Sequence, residues 1–165
     1  MYIGLISDTH GVFDDEFRDF LAPVDELWHA GDFGAGEDFA AQITGFKPTI
    51  GVYGNCDGQD IRHLFPEYQF FERGGMSVLM THIGGYPGRY DPRARRLIES
   101  LRPQIFVCGH SHILKVIHDS HYDMLCINPG AAGIQGWHIV RTALRFRIAG
   151  GAVSDMEVFN LERRT

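Results

Sequence analysis

The sequence has few cysteines, no long apolar run and no surplus of basic residues, and each absence excludes a class of protein. Its three cysteines form neither a C-x-x-C motif nor an even framework, which predicts a reduced, cytoplasmic protein rather than a disulfide-bonded secreted one. No apolar run approaches the ~18 residues of a membrane-spanning helix, and residues 2–7 have the pattern of a strand rather than of a signal peptide. We therefore expect no membrane partner.

The charge balance is acidic, with a formal net charge of -6 at pH 7. This balance argues against an extensive nucleic-acid-binding surface and against an anionic membrane as a partner. It leaves a phosphate-ester substrate open, because a bound metal ion can reverse the local field. The chain does have 44% hydrophobic residues among its 165 residues, and this length and composition predict a single domain over residues 1–165.

Short apolar runs alternate with amphipathic segments in the first third of the chain, and this rhythm predicts a parallel β-sheet. Predicted strands cover residues 2–7, 26–30 and 49–53. Predicted helices at residues 14–21 and 37–43 follow the first two strands, whereas no helix is predicted after the third. In such a sheet, functional loops follow the carboxyl ends of the strands.

The second half of the chain is predicted to contain more strands than helices. Two strands around Gly74-Gly75 predict a hairpin, and Asp91-Pro92 predicts the start of a helix that runs to Leu101. Together the elements predict an α/β fold in which two mixed β-sheets pack together and helices flank them. The predicted strands of this half cover residues 68–72, 76–81, 104–108, 114–117, 124–127, 139–148 and 153–161.

Five short polar motifs come directly after predicted strands, and each of the first four is weak evidence alone because such turn sequences are common. The fifth is more informative, since alternate histidines after an apolar strand offer two imidazoles to one place. Imidazole, carboxylate and amide oxygen together suit manganese, iron, zinc or nickel. The motifs are Asp8-Thr9-His10, Gly31-Asp32, Gly54-Asn55, Thr81-His82 and Gly109-His110-Ser111-His112.

Taken in order, and followed by Asn128-Pro129-Gly130, these motifs resemble those of the calcineurin-like metallophosphoesterases, especially their small YfcE-like phosphodiesterase branch. The resemblance implies the αββα sandwich of that superfamily and a site for two divalent metal ions, manganese first, with zinc, iron or nickel as alternatives. It implies that Asp8, His10, Asp32 and His112 hold one ion, and that Asp32, Asn55, His82 and His110 hold the other.

The implied activity is that of a metal-dependent phosphoesterase, a phosphodiesterase more than a phosphatase, acting on a small phosphate ester. A metal-bridging hydroxide would attack phosphorus in line. Catalytic roles would fall to Asp32, which bridges the ions, and to Asn55 and His110. Cys56 stands where many larger relatives carry a histidine assigned as proton donor, and a thiol with a pKa of ~8.5 is a weaker donor. Cys56 or another group would therefore protonate the leaving group.

The alternative is a non-catalytic scaffold or binding module on the same fold, because a trafficking subunit of the retromer coat shares the fold with a changed metal site. The present sequence carries a competent ligand at all seven positions, which favours an enzyme. The sequence leaves open the physiological substrate, the native metal and the oligomeric state, a homo-oligomer included.

Two further groups of residues have more ordinary interpretations. A cluster of arginines after His82 is expected to form a solvated face more often than a contact to substrate phosphate. Five histidines outside the motifs are expected to be structural or exposed. The arginines are Arg89, Arg93, Arg95 and Arg96, and the histidines are His29, His63, His118, His121 and His138.

Overall fold

The computed structural model describes residues 1–163, which form two five-stranded β-sheets, a two-stranded hairpin and four helices. None of the described helices is both long and apolar enough to cross a membrane. The helices are α1 (Asp15–Leu21), α2 (Gly36–Phe46), α3 (Gln59–Leu64) and α4 (Pro92–Leu101). The strands are β1 (Tyr2–Ile6), β2 (Glu26–His29), β3 (Thr49–Gly51), β4 (Tyr68–Arg73), β5 (Met76–Thr81), β6 (Gly85–Tyr86), β7 (Arg89–Tyr90), β8 (Ile105–Val107), β9 (Leu114–Asp119), β10 (Met124–Pro129), β11 (Val140–Ala149) and β12 (Ala152–Glu162).

The first sheet has the strand order β12-β11-β1-β2-β3. β1, β2 and β3 run parallel, and β11 joins β1 as an antiparallel neighbour. β1 is buried along its whole length, so it is apolar on both faces. Tyr2 and Ile6 face a core cluster shared with α1 and α2, whereas Ile3 and Leu5 face the cluster between the two sheets.

The second sheet has the order β4-β5-β8-β10-β9, with β5, β8 and β10 parallel and the outer strands antiparallel. Val78 and Met80 of β5 pack into the cluster between the sheets. Leu79, the residue between them, faces the opposite way and packs with Ala94 and Ile98 of α4. Because side chains alternate along a strand, one strand covers both layers. The prediction of two packed mixed sheets flanked by helices is confirmed.

The sequence-based prediction of the third β-loop-α unit is wrong, because a helix does follow β3. α3 has six residues, of which Ile61 is buried, so it lacks the apolar repeat that made α1 and α2 visible. The short hairpin of β6 and β7 was also not predicted. Its two-residue strands are mostly exposed and therefore show no apolar alternation.

Candidate metal centre

The residues predicted as ligands lie in loops at one edge of the sandwich, directly after β1, β2, β3, β5 and β8. Backbone hydrogen bonds tie neighbouring loops together within each sheet. The N–H of Asp8 donates to the carbonyl of Gly31 over 2.9 Å, and the N–H of Gly109 donates to the carbonyl of His82 over 2.9 Å. Packing of the two sheets therefore brings motifs from distant parts of the chain together.

The carboxylate of Asp8 is fully buried at the centre of this cluster. Its Oδ2 accepts hydrogen bonds from the Ser7 hydroxyl at 2.6 Å and from the His110 backbone N–H at 3.1 Å. Its Oδ1 instead faces imidazoles: Nε2 of His112 lies 3.2 Å away and Nε2 of His82 lies 3.8 Å away. Asp8 thus has one oxygen fixed by hydrogen bonds and one that points at ring nitrogens.

Asp32 repeats this arrangement from the neighbouring loop. Its Oδ1 accepts the backbone N–H of Cys56 at 2.8 Å. Its Oδ2 lies 3.3 Å from Nε2 of His82 and 3.8 Å from Nε2 of His10. His82 therefore stands within 4 Å of both carboxylates, as does His10, whose Nε2 is 3.9 Å from Oδ1 of Asp8.

The tautomer of His82 tests whether these residues fit a metal ion. Its Nδ1 lies 2.7 Å from the carbonyl oxygen of Ala30, which can only accept, so Nδ1 carries the proton and Nε2 of the neutral ring carries a lone pair. Nε2 of His82 and Oδ1 of Asp8 are both buried without a hydrogen-bond partner among the described residues. Buried lone pairs that face each other in this way call for a cation between them.

Three overlapping groups of side chains have ligand atoms within 4.8 Å of one another and could hold a metal ion. Asp8 and Asp32 each belong to two of the groups, so the groups are adjacent. The donors are carboxylate oxygens, imidazole nitrogens and one thiol, which suits a borderline divalent ion. The groups are Asp8 with His10 and His112, Asp8 with Asp32 and His82, and His10 with Asp32 and Cys56.

The charges of this cluster are set by its own members. Burial alone would raise the pKa of Asp32, but the nearby imidazole of His82 outweighs it and holds that pKa well below its usual range. The pKa of Asp8 is also lowered, with burial again opposed by the nearby ring of His112. Burial would lower the pKa of His82, but the nearby carboxylates of Asp32 and Asp8 raise it. Two ionised carboxylates therefore sit in a buried site that attracts positive charge.

The backbone of the ligand loops is strained. Nine non-glycine residues among residues 1–163 have a positive φ, and five of them are predicted ligands. Such conformations cost about 1–3 kcal/mol each and cluster at functional sites. The five are Asp8 (φ 53°), His10 (φ 45°), Asp32 (φ 56°), His110 (φ 67°) and His112 (φ 57°).

Two glycines of the motifs are required because neighbouring side-chain atoms leave no room for a Cβ. A Cβ on Gly54 would stand 2.0 Å from Oδ1 of Asp32, and a Cβ on Gly109 would stand 2.0 Å from the hydroxyl oxygen of Ser7. No side chain fits at such distances. The glycine of the Gly54-Asn55 pair is thus part of the site, because it leaves room for the carboxylate of Asp32.

Asn55, Cys56 and His110 are the exposed members of the predicted site. The Asn55 side-chain amide donates to Sγ of Cys56 at 3.4 Å rather than facing a carboxylate. The ring of His110 lies 5.3 Å from that of His82. Burial, followed by the charge of Asp32, raises the pKa of the Cys56 thiol to about 11, so the thiol keeps its proton at neutral pH. These three side chains line the open side of the cluster.

His138 belongs to the site although the sequence analysis assigned it a structural or surface role. Its Nε2 lies 3.0 Å from the carbonyl oxygen of Gly133, so Nε2 carries the proton, and burial lowers the pKa of the ring. Its free Nδ1 then accepts the Nδ1–H of His112 at 3.2 Å. This fixes the tautomer of His112 and leaves its Nε2 lone pair facing Asp8. No local sequence signal pointed to it, because His138 lies in an irregular loop.

Two buried polar side chains hold the ligand loops in place. Asp57 accepts the backbone N–H groups of Gly34 at 3.0 Å and Gly54 at 2.7 Å. Asn128 donates to the carbonyl of Gly109 at 2.8 Å, and so fixes the loop that carries His110 and His112.

The domain family described as "Calcineurin-like phosphoesterase superfamily domain" matches residues 1–151 of the chain. No curated protein matches the chain.

Solved structures share this fold over nearly their full length. Vps29 from Chaetomium thermophilum is 15% identical, with a TM-score of 0.76 and coverage of 99% of this chain and 100% of that one. Vps29 from Entamoeba histolytica complexed with zinc is 16% identical, with a TM-score of 0.74 and coverage of 99% and 100%. A novel archaeal phosphodiesterase is 20% identical, with a TM-score of 0.73 and coverage of 98% and 100%. These likenesses establish the fold.

Proposed function

The chain belongs to the calcineurin-like phosphoesterase superfamily, and from this premise we propose that it is a dinuclear-metal-dependent phosphodiesterase. The observation that carries the proposal is the pair of buried, unpartnered atoms, Oδ1 of Asp8 and Nε2 of His82, which face each other over 3.8 Å. A structural histidine and aspartate would share a hydrogen bond there. A cation between the two atoms explains why each is buried without a hydrogen-bond partner.

We assign Asp8, His10, Asp32 and His112 to one ion, and Asp32, Asn55, His82 and His110 to the other. Two divalent ions supply, when bound, a water of lowered pKa as nucleophile and positive charge for the phosphate oxygens. Manganese is the first candidate, and zinc, iron and nickel suit the same mixed donors. The structural likeness to a zinc-bound Vps29 supports the capacity of this fold to take a borderline ion.

The chain's own residues supply positioning and charge. Asp8 and Asp32 cancel two of the four positive charges that two divalent ions bring, so the centre keeps a net attraction for an anionic phosphoester. Asn55 and His110 line the exposed side, where they can contact a substrate phosphate as well as an ion. The thiol of Cys56 keeps its proton and lies beside the Asn55 amide, which supports Cys56 as the candidate proton donor for the leaving group.

The reducing, cytoplasmic location remains a prediction, supported by the three cysteines, all of which are free thiols. A homo-oligomer is likewise a prediction from the sequence.

The test is metal analysis of the purified protein together with hydrolysis of bis-p-nitrophenyl phosphate and p-nitrophenyl phosphate. We expect turnover that needs added manganese, stops with a chelator, and is faster with the diester. If the protein binds two ions but hydrolyses neither ester with any divalent ion, the proposed enzyme activity is refuted and the binding-module alternative remains. Faster turnover of the monoester would make the protein a phosphatase instead.

A further inference from the structure

A cavity of about 710 Å³ opens beside the metal centre, with Asn55 and His82 at its inner end. One wall is the side of α4 that carries Arg93, Arg96 and Leu97, residues three or four positions apart and therefore on one helical face. Opposite residues include Tyr53 and Tyr68, which make the rest of the wall partly aromatic. The cavity is large enough for a small organic molecule attached to a phosphate at the centre.

The acidic groups of this cavity are already occupied. Glu67 pairs with Arg93 at 3.0 Å. Oδ1 of Asp91 accepts the backbone N–H groups of Arg93 at 2.8 Å and Ala94 at 3.2 Å, so it caps the positive end of α4. Glu67 is therefore paired with another arginine, and within residues 1–163 neither carboxylate forms an ion pair with Arg96 or Arg62.

Two arginines of the cavity are left without an acidic partner. The side chain of Arg96 makes no hydrogen bond or ion pair with any residue from 1 to 163. Arg62 donates from Nε to the carbonyl of Asp57 at 2.9 Å, and its guanidinium lies 4.5 Å over the ring of Tyr53, but no carboxylate of residues 1–163 forms an ion pair with it. Unpaired guanidinium groups in a concave site select for anions, since the fork of N–H donors matches carboxylate and phosphate.

Comparison with Arg95 shows that the lack of an acidic partner depends on where an arginine lies on α4. It is the neighbour of Arg96 on α4, but it pairs with Glu99 one turn along at 2.8 Å and does not line the cavity. The arginine cluster of the sequence therefore contains a surface ion pair and, one residue away, a free cation that faces the substrate side.

We propose that this cavity binds the second arm of the phosphodiester and that Arg96, aided by Arg62, recognises an anionic group, a phosphate or a carboxylate, carried on that arm. The inference rests on the proposed function, because it takes the metal centre as the place of the scissile phosphate. Tyr53 and Tyr68 flank the organic part of the arm between the two anionic ends.

Binding to the metal-loaded protein tests this without turnover. Calorimetry would compare alkylphosphonates with α,ω-alkylene bisphosphonates and ω-carboxyalkylphosphonates of the same chain length, across a series of lengths. We expect a doubly anionic ligand of one length to bind about tenfold more tightly than its alkylphosphonate, because it adds a charge-assisted contact. The better of the two doubly anionic series would identify phosphate or carboxylate as the group recognised.

Matched variants locate the contact. Arg96→Ala is expected to remove the tenfold preference, and Arg95→Ala, the same change one residue away, is expected to keep it. Equal affinities at every length, or no phosphonate binding, would overturn the anion site, as would a preference that survives Arg96→Ala or is lost equally in Arg95→Ala.

Hydrolysis of bis-p-nitrophenyl phosphate, measured in parallel, separates the two proposals. If wild-type protein prefers the doubly anionic ligands but hydrolyses no ester, the phosphodiesterase function fails and the anion site stands. If it hydrolyses the ester but shows no preference, the anion site fails and the function stands.

Discussion

The metal centre has two halves that differ in how firmly the chain holds them. The buried half consists of Asp8, Asp32 and His82, whose exposed fractions are 0%, 2% and 3%. Each has a backbone contact: a peptide N–H to one oxygen of each carboxylate, and the Ala30 carbonyl to the imidazole. These fixed contacts orient the remaining lone pairs toward one place before any ion binds.

The open half consists of Asn55, Cys56 and His110, which are all exposed. Within residues 1–163 these side chains make few contacts with one another, and the hydrogen bond from Asn55 to Sγ of Cys56 is a weak one at 3.4 Å. The chain therefore holds the side chains that would bind cations with backbone contacts. It constrains less the exposed side chains that would meet a substrate. Changes in the buried half should therefore cost more than changes in the open half.

The largest effect is expected from Asp32→Asn, which keeps the shape of the side chain and removes the charge shared by two ligand groups. We expect kcat/KM for bis-p-nitrophenyl phosphate to fall by more than about a thousandfold, with metal content reduced, because charge is lost where ions are held. Asp123→Asn is the control, since that carboxylate is exposed and pairs with His118. Activity of Asp32→Asn near that of wild type would remove Asp32 from the site.

A smaller loss is expected from His138→Ala, because His138 orients His112, a predicted ligand that faces Asp8 from outside the buried half. Loss of such an orienting partner typically weakens metal affinity by about 10–100-fold. Titration of the metal-free protein with manganese would measure this, with His121→Ala as a control at an exposed position. An unchanged affinity in His138→Ala would show that His112 needs no orienting partner.

Gly54→Ala tests the steric side of the same comparison. Its new Cβ would stand 2.0 Å from Oδ1 of Asp32, so the free energy of unfolding should fall by about 1–3 kcal/mol as the loop shifts. Gly45→Ala is the matched control, because a Cβ there meets nothing within 4 Å inside α2, and it should stabilise by about 0.5–1 kcal/mol. Chemical denaturation measures both, and equal values would refute the close packing at Gly54.

The smallest effect is expected from Cys56→Ser in the open half. If the thiol donates a proton, hydrolysis of esters with poor leaving groups should slow by less than about tenfold, while release of p-nitrophenol should hardly change. A series of aryl esters with leaving groups of rising pKa would show this as a steeper dependence of rate on leaving-group pKa. An unaltered slope would exclude Cys56 as the donor.

Much of the fold was predictable because it depends on local periodicity. The buried strands carry short continuous apolar runs and the longer helices carry apolar patterns of period near four, and their order predicts two packed sheets. The six-residue α3 and the hairpin of β6 and β7 were missed, since neither presents a repeated apolar face. The five motifs could be recognised in the sequence as parts of one site because each directly follows a predicted strand.

The surroundings of the site were not predictable in the same way. His138 meets His112 through the loop between β10 and β11, and no spacing rule connects residues that a loop brings together. Likewise, the sequence placed Arg95 and Arg96 in one cluster. The i,i+4 spacing of Arg95 and Glu99 is a local signal of their ion pair, but only the packing of α4 decides that Arg96 lines the cavity. Tertiary contacts of this kind have no local signature.

The most direct test of the central claim is the metal content of the protein and of Asp8→Asn, measured by plasma mass spectrometry after dialysis against manganese or zinc. Asp8 belongs to two of the ligand groups, and its buried Oδ1 has no hydrogen-bond partner among residues 1–163. We predict about two ions per wild-type chain and at most about one in the variant. A wild-type chain that retains no divalent ion, or a variant that retains as many as wild type, would contradict a metal centre built on Asp8.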